Sequence, residues 1–283
     1  MPISKERAAE LTELCRVFRI DVLTAIHAVQ SGHPGGSLSV CEILTLLYQE
    51  RMNVSPDRAN DPDRDRLILS KGHAAAVTSL SQAIRGCYPV EEIFNEYATD
   101  FGRFGMHSCN LINPYVEVST GALGHGLPIA NGIAEALKKK GSSGRVYVVM
   151  GDGETDEGSI WEAAMLAHQL KLGNLIAFVD RNRLQLDGKT EDELQLEPYT
   201  DKWKAFSWNV IEVDGHDIEA LVDVVDELPA PDSTVPTVII CNTVKGHGIS
   251  FMENQIGWHT GELSDEDYEK ALVELEAAYE RGL

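Results

Sequence analysis

The feature of this sequence that most limits its possible folds is a repeated alternation between short apolar runs and segments of helical periodicity. Apolar runs typical of buried strands lie at 66–70, 145–150, 174–180, 209–213 and 236–241. Helical periodicity occupies 158–171 and 217–227, and in the first of these segments a one-sided apolar stripe is suited to packing on a sheet. Because strands that alternate with helices form parallel sheets, the pattern predicts an α/β fold with a doubly wound, mostly parallel sheet and helices on both faces.

Other parts of the chain are either helical or difficult to assign. Helices are predicted at 5–30, at 37–51 with Ser37 as the N-cap, from near His73 onward, and at 123–140. Three segments, 99–121, 183–198 and 243–262, fit neither strand nor helix. Loops of this length are usually functional or disordered, and the aromatic residues and Gly-His pairs in these favour function. The sequence shows no linker and no internal repeat, so we predict a single domain over residues 1–283.

The charge and composition argue against several classes of protein. The formal net charge is −21, which disfavours binding to nucleic acid or anionic membranes, because a phosphate backbone requires a surface rich in Lys and Arg. An anionic ligand would need a metal ion, helix N-termini or local cationic side chains. No apolar run reaches the roughly 18 residues needed to span a bilayer, and the first residues do not resemble a signal peptide, so a cytoplasmic location is expected. The five widely spaced cysteines form no metal-binding pattern, and most are expected to be buried thiols.

Polar residues follow two of the predicted strands. Gly151, Asp152 and Gly153 form the sequence GDG after one strand, and Asn182 ends the sequence DRN after the next. The glycines allow a sharp turn and a close approach to a ligand, while the carboxylate of Asp152 projects from the strand end. Because ligands of doubly wound sheets bind outside the C-terminal strand ends, a carboxylate, an amide oxygen and a backbone carbonyl there would form a hard oxygen site for Mg²⁺ or Ca²⁺. The pair therefore predicts a cation that holds a phosphorylated ligand; the alternative is that each motif is only a turn.

Neighbouring residues narrow this interpretation. The glycine spacing does not match the dinucleotide-binding fingerprint, and a Walker A sequence is absent. The acidic residues after GDG are expected to complement the dipole of the following helix; they are Glu154, Asp156 and Glu157.

A set of motifs in a fixed order resembles the N-terminal, diphosphate-binding half of transketolase. The motifs are SGHPGG (31–36), SKGHAA (70–75), STGALGHGL (119–127), GDGETDEGSIWEAA (151–164), DGHD (214–217) and KGHGISFMEN (245–254). GDG followed about thirty residues later by Asn is similar to the thiamin diphosphate motif. The match extends over nearly the whole chain.

The resemblance implies specific roles for residues of this sequence. Asp152, Asn182 and the carbonyl of Leu184 would bind Mg²⁺, with Ca²⁺ or Mn²⁺ as alternatives, on the diphosphate of thiamin diphosphate. The other cofactor-binding residues would be His73, Gly121, Ala122, Leu123, Gly151, Gly153 and Glu157, of which Glu157 matches an acid between the two cofactor sites of a dimer. His33, His107 and His259 match the catalytic histidines that bind sugar hydroxyls or move protons. Imidazole suits this task because it exchanges protons near neutral pH.

The remaining histidines are less informative. His27 and His168 are interpreted as helix-face residues and His216 as a turn residue, whereas His125 and His247 lie near the expected site and are left undecided.

The resemblance also implies a partner. The pyrimidine-binding domain of the family, which carries the glutamate needed to activate the cofactor, has no counterpart in this sequence. We therefore expect a separate C-terminal transketolase subunit, the cofactor between the two chains, and an α2β2 heterotetramer. Departures from the family pattern at MHS (106–108), Ala122, Asn242 and WHTG (258–261) leave the sugar, and whether it is phosphorylated, open.

The expected reaction is transfer of a two-carbon ketol unit from a ketose or ketose phosphate to an aldose through a thiamin diphosphate adduct. Two alternatives remain: another thiamin-diphosphate enzyme, of the 2-oxo acid decarboxylating or deoxyxylulose type, and a non-catalytic scaffold subunit. The histidine set favours sugar transfer, and the pair Asp152 and Asn182 argues against a scaffold.

Overall fold

The computed structural model describes residues 3–280, and these residues contain one sheet of five parallel strands. The strands are β1 (Arg66–Leu69), β2 (Val146–Gly151), β3 (Leu175–Arg181), β4 (Asn209–Asp214) and β5 (Thr237–Asn242). Their order in the sheet is β1-β2-β3-β5-β4, and neighbouring strands pair in parallel throughout. Each begins and ends within one residue of its predicted bounds. The predicted parallel α/β sheet is confirmed.

Helices cover both faces of the sheet, which is why the central strands are apolar along their whole length. The helices are α1 (Lys5–Val29), α2 (Pro34–Leu38), α3 (Cys41–Thr45), α4 (Ala75–Ile84), α5 (Val90–Glu96), α6 (Gly126–Lys139), α7 (Gly158–Gln169), α8 (Thr190–Glu193), α9 (Tyr199–Ala205), α10 (Ile218–Asp226) and α11 (Asp265–Glu280). In β2, Val148 and Met150 pack in one buried cluster with α6, α7 and α9, whereas Tyr147 and Val149 pack in the other with α1, α3, α4, α10 and α11. Shorter helical turns lie at Leu46–Arg51, which is π-helical, and at Pro56–Arg58, Gly72–Ala74, Gly153–Asp156 and Ile256–Trp258, which are 3₁₀.

Two predicted helix starts, at residues 37 and 123, are wrong, whereas the start predicted near His73 is confirmed. Ser37 is not an N-cap, because α2 already begins at Pro34, whose fixed φ suits the first position of a helix. The segment predicted as one helix at 37–51 is broken after Leu38 and ends in the π-helical turn. The helix after β1 begins at Ala75, following a 3₁₀ turn that contains His73. The helix predicted from residue 123 begins at Gly126, because Gly124 has φ of +80° and cannot be helical.

The parallel arrangement places the loops that follow β1, β2, β3 and β5 at one edge of the sheet. These loops begin at Ser70, Asp152, Asn182 and Thr243, and they carry most of the predicted site residues. Cys15, Cys41 and Cys241 are buried free thiols, as expected for most of the cysteines. Among residues 3–280, no helix has the length and apolar character required to cross a membrane.

Candidate cofactor and active site

A cleft of about 240 Å³ opens at the C-terminal edge of the sheet. Many of the predicted site residues lie in its lining, namely His73, Leu123, Gly151, Asp152, Gly153, Asn182, Leu184 and His259. Lys71, Lys245 and Glu154, which had no predicted role in the site, line the same cleft. The strand-end motifs and the histidine motifs therefore meet in one place.

Asp152 is held by hydrogen bonds to both of its carboxylate oxygens. Oδ1 accepts from the backbone N–H of Gly153 at 2.9 Å, and Oδ2 accepts from the backbone N–H of Arg183 at 2.6 Å and from Nη1 of Arg181 at 3.2 Å. Burial, together with the nearby charge of Asp180, raises the pKa of Asp152 to about 6, although Arg181 and the amide hydrogen bonds act in the opposite direction. A cation in the cleft would stabilise the ionised carboxylate.

Asn182 and Leu184 complete a set of oxygen donors beside Asp152. The amide Nδ2 of Asn182 donates to Oδ2 of Asp180 at 2.8 Å, which leaves its oxygen Oδ1 as an acceptor, here from the N–H of Leu184 at 3.1 Å. At Gly151 an added Cβ would meet no described atom within 4 Å, so the backbone there is open to a ligand. A carboxylate, an amide oxygen and a carbonyl beside an open glycine backbone fit a hard cation bound to a phosphate group.

Asp180 is a buried connection point that the sequence analysis did not identify. Its Oδ2 accepts hydrogen bonds from the side chains of Ser39, Lys71 and Asn182, and its Oδ1 accepts from Thr243. Burial alone would raise the pKa of Asp180, but the charge of Lys71 and these hydrogen bonds lower it below its usual value. One carboxylate therefore joins the loops after β1, β3 and β5 to the segment that follows α2. The available signal was an acid one residue before the end of an apolar interior strand.

Glu154 was expected to complement a helix dipole, and this interpretation is wrong. Its side chain is buried and accepts from the hydroxyl of Ser70, from the N–H of Gly124 at 2.9 Å and from the N–H of Gly151 at 3.1 Å. Burial raises the pKa of Glu154. Through these hydrogen bonds the carboxylate connects the loop that follows Gly121 to the GDG turn.

Four histidines from distant parts of the chain form one cluster. The ring centroid of His33 lies 5.4 Å from that of His73, 5.4 Å from that of His107 and 5.9 Å from that of His259. His73 and His259 are 5.3 Å apart. Gly121 allows the ring of His107 to approach, because an added Cβ would lie 3.3 Å from its Cδ2. The structure thus brings the three predicted catalytic histidines together with the predicted cofactor-binding histidine.

The environment of the cluster keeps these imidazoles neutral near pH 7. Burial, then repulsion from His107 when that ring is protonated, and then the charges of Lys245 and Lys71 lower the pKa of His33 to about 4, and burial with Lys245 lowers that of His259 to about 3. Burial also lowers the pKa of His73 and of His107. Neutral imidazole can both donate and accept a proton, which suits hydroxyl chemistry.

Lys245 places a positive charge between the two groups of site residues. Its Nζ lies 2.7 Å from Nδ1 of His259, 3.5 Å from the carbonyl oxygen of Leu184 and 3.4 Å from that of Gln185. Burial, and then the charge of Lys71, lowers the pKa of Lys245 to about 8. These two lysines meet the requirement for local cationic groups in a chain whose net charge is −21.

Some predicted residues lie outside the cleft lining. Gly121, Ala122 and Glu157 are exposed, and Glu157 is the residue that precedes α7. His27 and His168 are on helices and His216 follows β4, as predicted. His125 is the exposed residue that precedes α6, and its Nδ1 lies 3.1 Å from the carbonyl oxygen of Leu123.

A second group of potential metal ligands lies apart from this cleft lining. Glu42, His216 and His247 have ligand atoms within 4.8 Å of one another. The two rings are stacked with centroids 3.6 Å apart and an angle of 17°, so the in-plane lone pairs of the nitrogens cannot converge on one ion. Glu42 is already paired with Arg19 at 2.6 Å. This group is better described as a partly buried hydrogen-bond network, which includes the N–H of Val244 donating to Nε2 of His216 at 2.9 Å.

Comparison with known proteins agrees with this geometry. The family described as "Transketolase, thiamine diphosphate binding domain" matches residues 9–278. A 6-deoxy-6-sulfo-D-fructose transketolase chain of Clostridium sp. (strain MSTE9), which is named as one subunit of that enzyme, is 38% identical over 272 residues, which cover 96% of this chain and 98% of that protein. One of the subunits of an apulose-4-phosphate transketolase of Phocaeicola vulgatus is 40% identical over 262 residues, which cover 90% of each protein.

Solved structures show the same relation to a part of a longer protein. A transketolase of Pichia stipitis superposes with a TM-score of 0.86 and 28% identity, covering 97% of this chain and 44% of that one. The transketolase of Campylobacter jejuni gives a TM-score of 0.86 and 27% identity over 97% of this chain and 43% of that one. The chain spans less than half the length of these transketolases. It belongs to the transketolase family, of which it represents the N-terminal, thiamin-diphosphate-binding part.

Proposed function

We propose that this chain is the N-terminal subunit of a transketolase, which transfers a two-carbon ketol unit from a ketose or ketose phosphate to an aldose acceptor. The observation that carries the proposal is that the oxygen donors at the strand ends share one cleft with His73 and His259, which are packed in a cluster with His33 and His107. The first group suits a metal diphosphate, and the second suits a polyhydroxylated substrate.

At the strand ends, Asp152, Asn182 and the carbonyl of Leu184 would hold Mg²⁺, with Ca²⁺ or Mn²⁺ as alternatives. Gly151 and Gly153 would bring the backbone close to the diphosphate, and the positive charge of Lys71 and Lys245 would offset its negative charge. Bound thiamin diphosphate supplies an electron sink for carbanion chemistry. The support for this assignment is the buried, incompletely compensated carboxylate of Asp152 beside an open glycine backbone.

At the other side of the cleft, His33, His107 and His259 would bind and exchange protons with hydroxyl and carbonyl groups of the sugar. His73 would contact the cofactor. Nδ1 of His33 is buried and has no hydrogen-bond partner among the described residues, so it is available to a ligand. The low pKa values support a role as neutral donors and acceptors at physiological pH.

The chain would act with a separate C-terminal transketolase subunit that carries the pyrimidine-binding domain. We propose that residues 1–283 are a single diphosphate-binding domain and that the complex is an α2β2 heterotetramer. Leu123 lines the cleft, Gly121 and Ala122 precede it in the chain, and all three are exposed, as is Glu157, so these residues are accessible to a second chain. Relatives of similar length are named as transketolase subunits, which supports a divided enzyme. A cytoplasmic location stays a prediction.

Product analysis of the reconstituted complex tests the reaction. The purified chain is combined with a candidate C-terminal subunit, thiamin diphosphate and Mg²⁺, and the mixture is given either a set of ketose donors with an aldose acceptor or pyruvate. We expect a lengthened sugar from a ketose donor and no carbon dioxide from pyruvate. Carbon dioxide release from pyruvate without ketol transfer would instead favour a 2-oxo acid decarboxylating or deoxyxylulose-type enzyme. Cofactor binding without turnover of any donor would favour a scaffold.

A further inference from the structure

Arg181 is a buried charged side chain that the proposed reaction does not require. It ends β3, next to Asn182, and its side chain is only 2% exposed. A charged group is this deeply buried only when other groups compensate it, so its partners indicate its role.

The partners of Arg181 lie on two sides. On one side, Nη1 donates to Oδ2 of Asp152 at 3.2 Å. On the other, Nη2 donates to Oε1 of Glu197 at 2.9 Å and to Oε1 of Glu191 at 3.3 Å. The centre of the guanidinium lies 4.5 Å from the ring centroid of Tyr199. A planar, forked group is needed to make these contacts together, since a lysine ammonium is a point charge on a flexible chain.

The contacts connect Asp152 to the segment that borders the cleft. Leu184, Gln185 and Leu186 line the cleft, and the same stretch of chain continues to Glu191 and Glu197. One guanidinium therefore fixes a carboxylate of the site and anchors the far end of the segment beside it. Asp180, another buried acid at this edge, is paired with Lys71, and Asp152 is paired with Arg181.

We propose that Arg181 is a positioning residue for the metal ion: by occupying Oδ2 of Asp152 and anchoring the segment 184–197, it holds the oxygen donors in place for the cation. The inference rests on the proposed function, because it assumes that Asp152, Asn182 and the carbonyl of Leu184 bind the metal.

The positive charge of Arg181 also repels a cation, and this effect opposes the positioning effect. Glu191 and Glu197 lie on the outer side of the guanidinium and together carry more negative charge than Arg181 carries positive charge. The repulsion is therefore largely neutralised, and positioning should dominate. Loss of groups that orient metal ligands typically weakens metal binding by about 10- to 100-fold.

The test measures the Mg²⁺ dependence of thiamin diphosphate binding by calorimetry in the reconstituted complex. Arg181→Met removes the charge and the fork, whereas Arg181→Lys keeps the charge without the fork. Arg183→Met is the matched control. Arg183 lies two positions after Arg181 and carries the same charge, but its side chain is 59% exposed. The substitution leaves in place its backbone N–H, which donates to Asp152. Circular dichroism confirms that each variant is folded.

We expect Arg181→Met to raise the apparent dissociation constant for Mg²⁺ by about 10- to 100-fold, Arg181→Lys to give an intermediate increase, and Arg183→Met to change it little. If wild type shows Mg²⁺-dependent binding and both Arg181 variants match it, or Arg181→Met binds more tightly, the positioning role is refuted and the proposed function stands. If Arg181→Met does not fold, Arg181→Lys decides, because binding equal to wild type would show that the fork is unnecessary. Absence of Mg²⁺-dependent binding in the wild type would refute the proposed function and this inference together.

Discussion

The two sides of the cleft are built in different ways. At the strand ends, each polar group has several fixed partners: Asp152 accepts three hydrogen bonds, and Asp180 accepts four. At the histidine cluster, the rings are packed against one another at 5.3 to 5.9 Å with few hydrogen bonds. The strand-end side is therefore set before a ligand arrives, whereas the histidine side keeps donors and acceptors free for one.

The difference has an electrostatic counterpart. The strand ends contain buried carboxylates whose compensation comes from Arg181 and Lys71, so their charges are essential to the local structure. The imidazoles are neutral and form no ion pair with a carboxylate, and among them His259 is a direct partner of a buried cation, with its Nδ1 2.7 Å from Nζ of Lys245. We therefore expect substitutions on the first side to affect binding and stability, and substitutions on the second side to affect turnover.

The largest expected effect comes from Asp152→Ala. Removing a group that orients a metal ligand weakens metal binding by up to about 100-fold, and removing a direct ligand should weaken it more. Calorimetry should therefore detect no thiamin diphosphate binding. Asp187→Ala, which removes an exposed carboxylate from the same cleft, is the control and should retain binding. Wild-type affinity in folded Asp152→Ala would contradict the metal assignment.

The next effect is on stability. Asp180→Ala leaves the ammonium of Lys71 buried without its partner, which should lower the free energy of unfolding by about 3–5 kcal/mol. The double variant Asp180→Ala/Lys71→Met removes both charges and should be less destabilised than the single variant. Urea denaturation measures the free energy of unfolding of the wild type, the two single variants and the double variant. A double variant as unstable as the sum of the two single variants would show that the ion pair is not the cause.

A smaller effect is expected at the histidine cluster. His33→Ala should lower kcat of the complex by about 100-fold, the low end for loss of general acid–base catalysis, while thiamin diphosphate affinity stays close to wild type. His168→Ala on α7 is the control, because that side chain lies on a helix away from the cleft lining. Loss of cofactor affinity without loss of kcat at saturating cofactor would reverse the comparison between the two sides.

The smallest effect concerns pH. The pKa of His33 is lowered to about 4 and that of His259 to about 3, below the value near 6.5 expected in the unfolded chain. Between pH 6.5 and 4 the unfolded state therefore binds protons that the folded state does not, and stability falls as the pH is lowered.

The double variant His33→Gln/His259→Gln should flatten this dependence, which urea midpoints measured from pH 7 to pH 4.5 would reveal. The same pH dependence in wild type and variant would show that other groups are responsible.

The sequence predicted the parts of this molecule that depend on local patterns. The five strands follow from apolar runs, and Asp152 and Asn182 could be located because parallel strands end at one edge. The cluster of histidines was predicted from the resemblance to a family, since nothing local brings His33 and His259 together. The buried partners were missed because they pair residues far apart in sequence, such as Lys71 with Asp180, 109 positions away, and Ser70 with Glu154, 84 positions away.

The most direct test of the central claim is calorimetric titration of thiamin diphosphate with Mg²⁺ into the purified chain, alone and with a C-terminal transketolase subunit. Our account predicts Mg²⁺-dependent binding that appears or tightens when the partner is present, because the strand-end site is already formed and the remainder of the cleft is not. Absence of binding under both conditions, with both proteins folded, would contradict it.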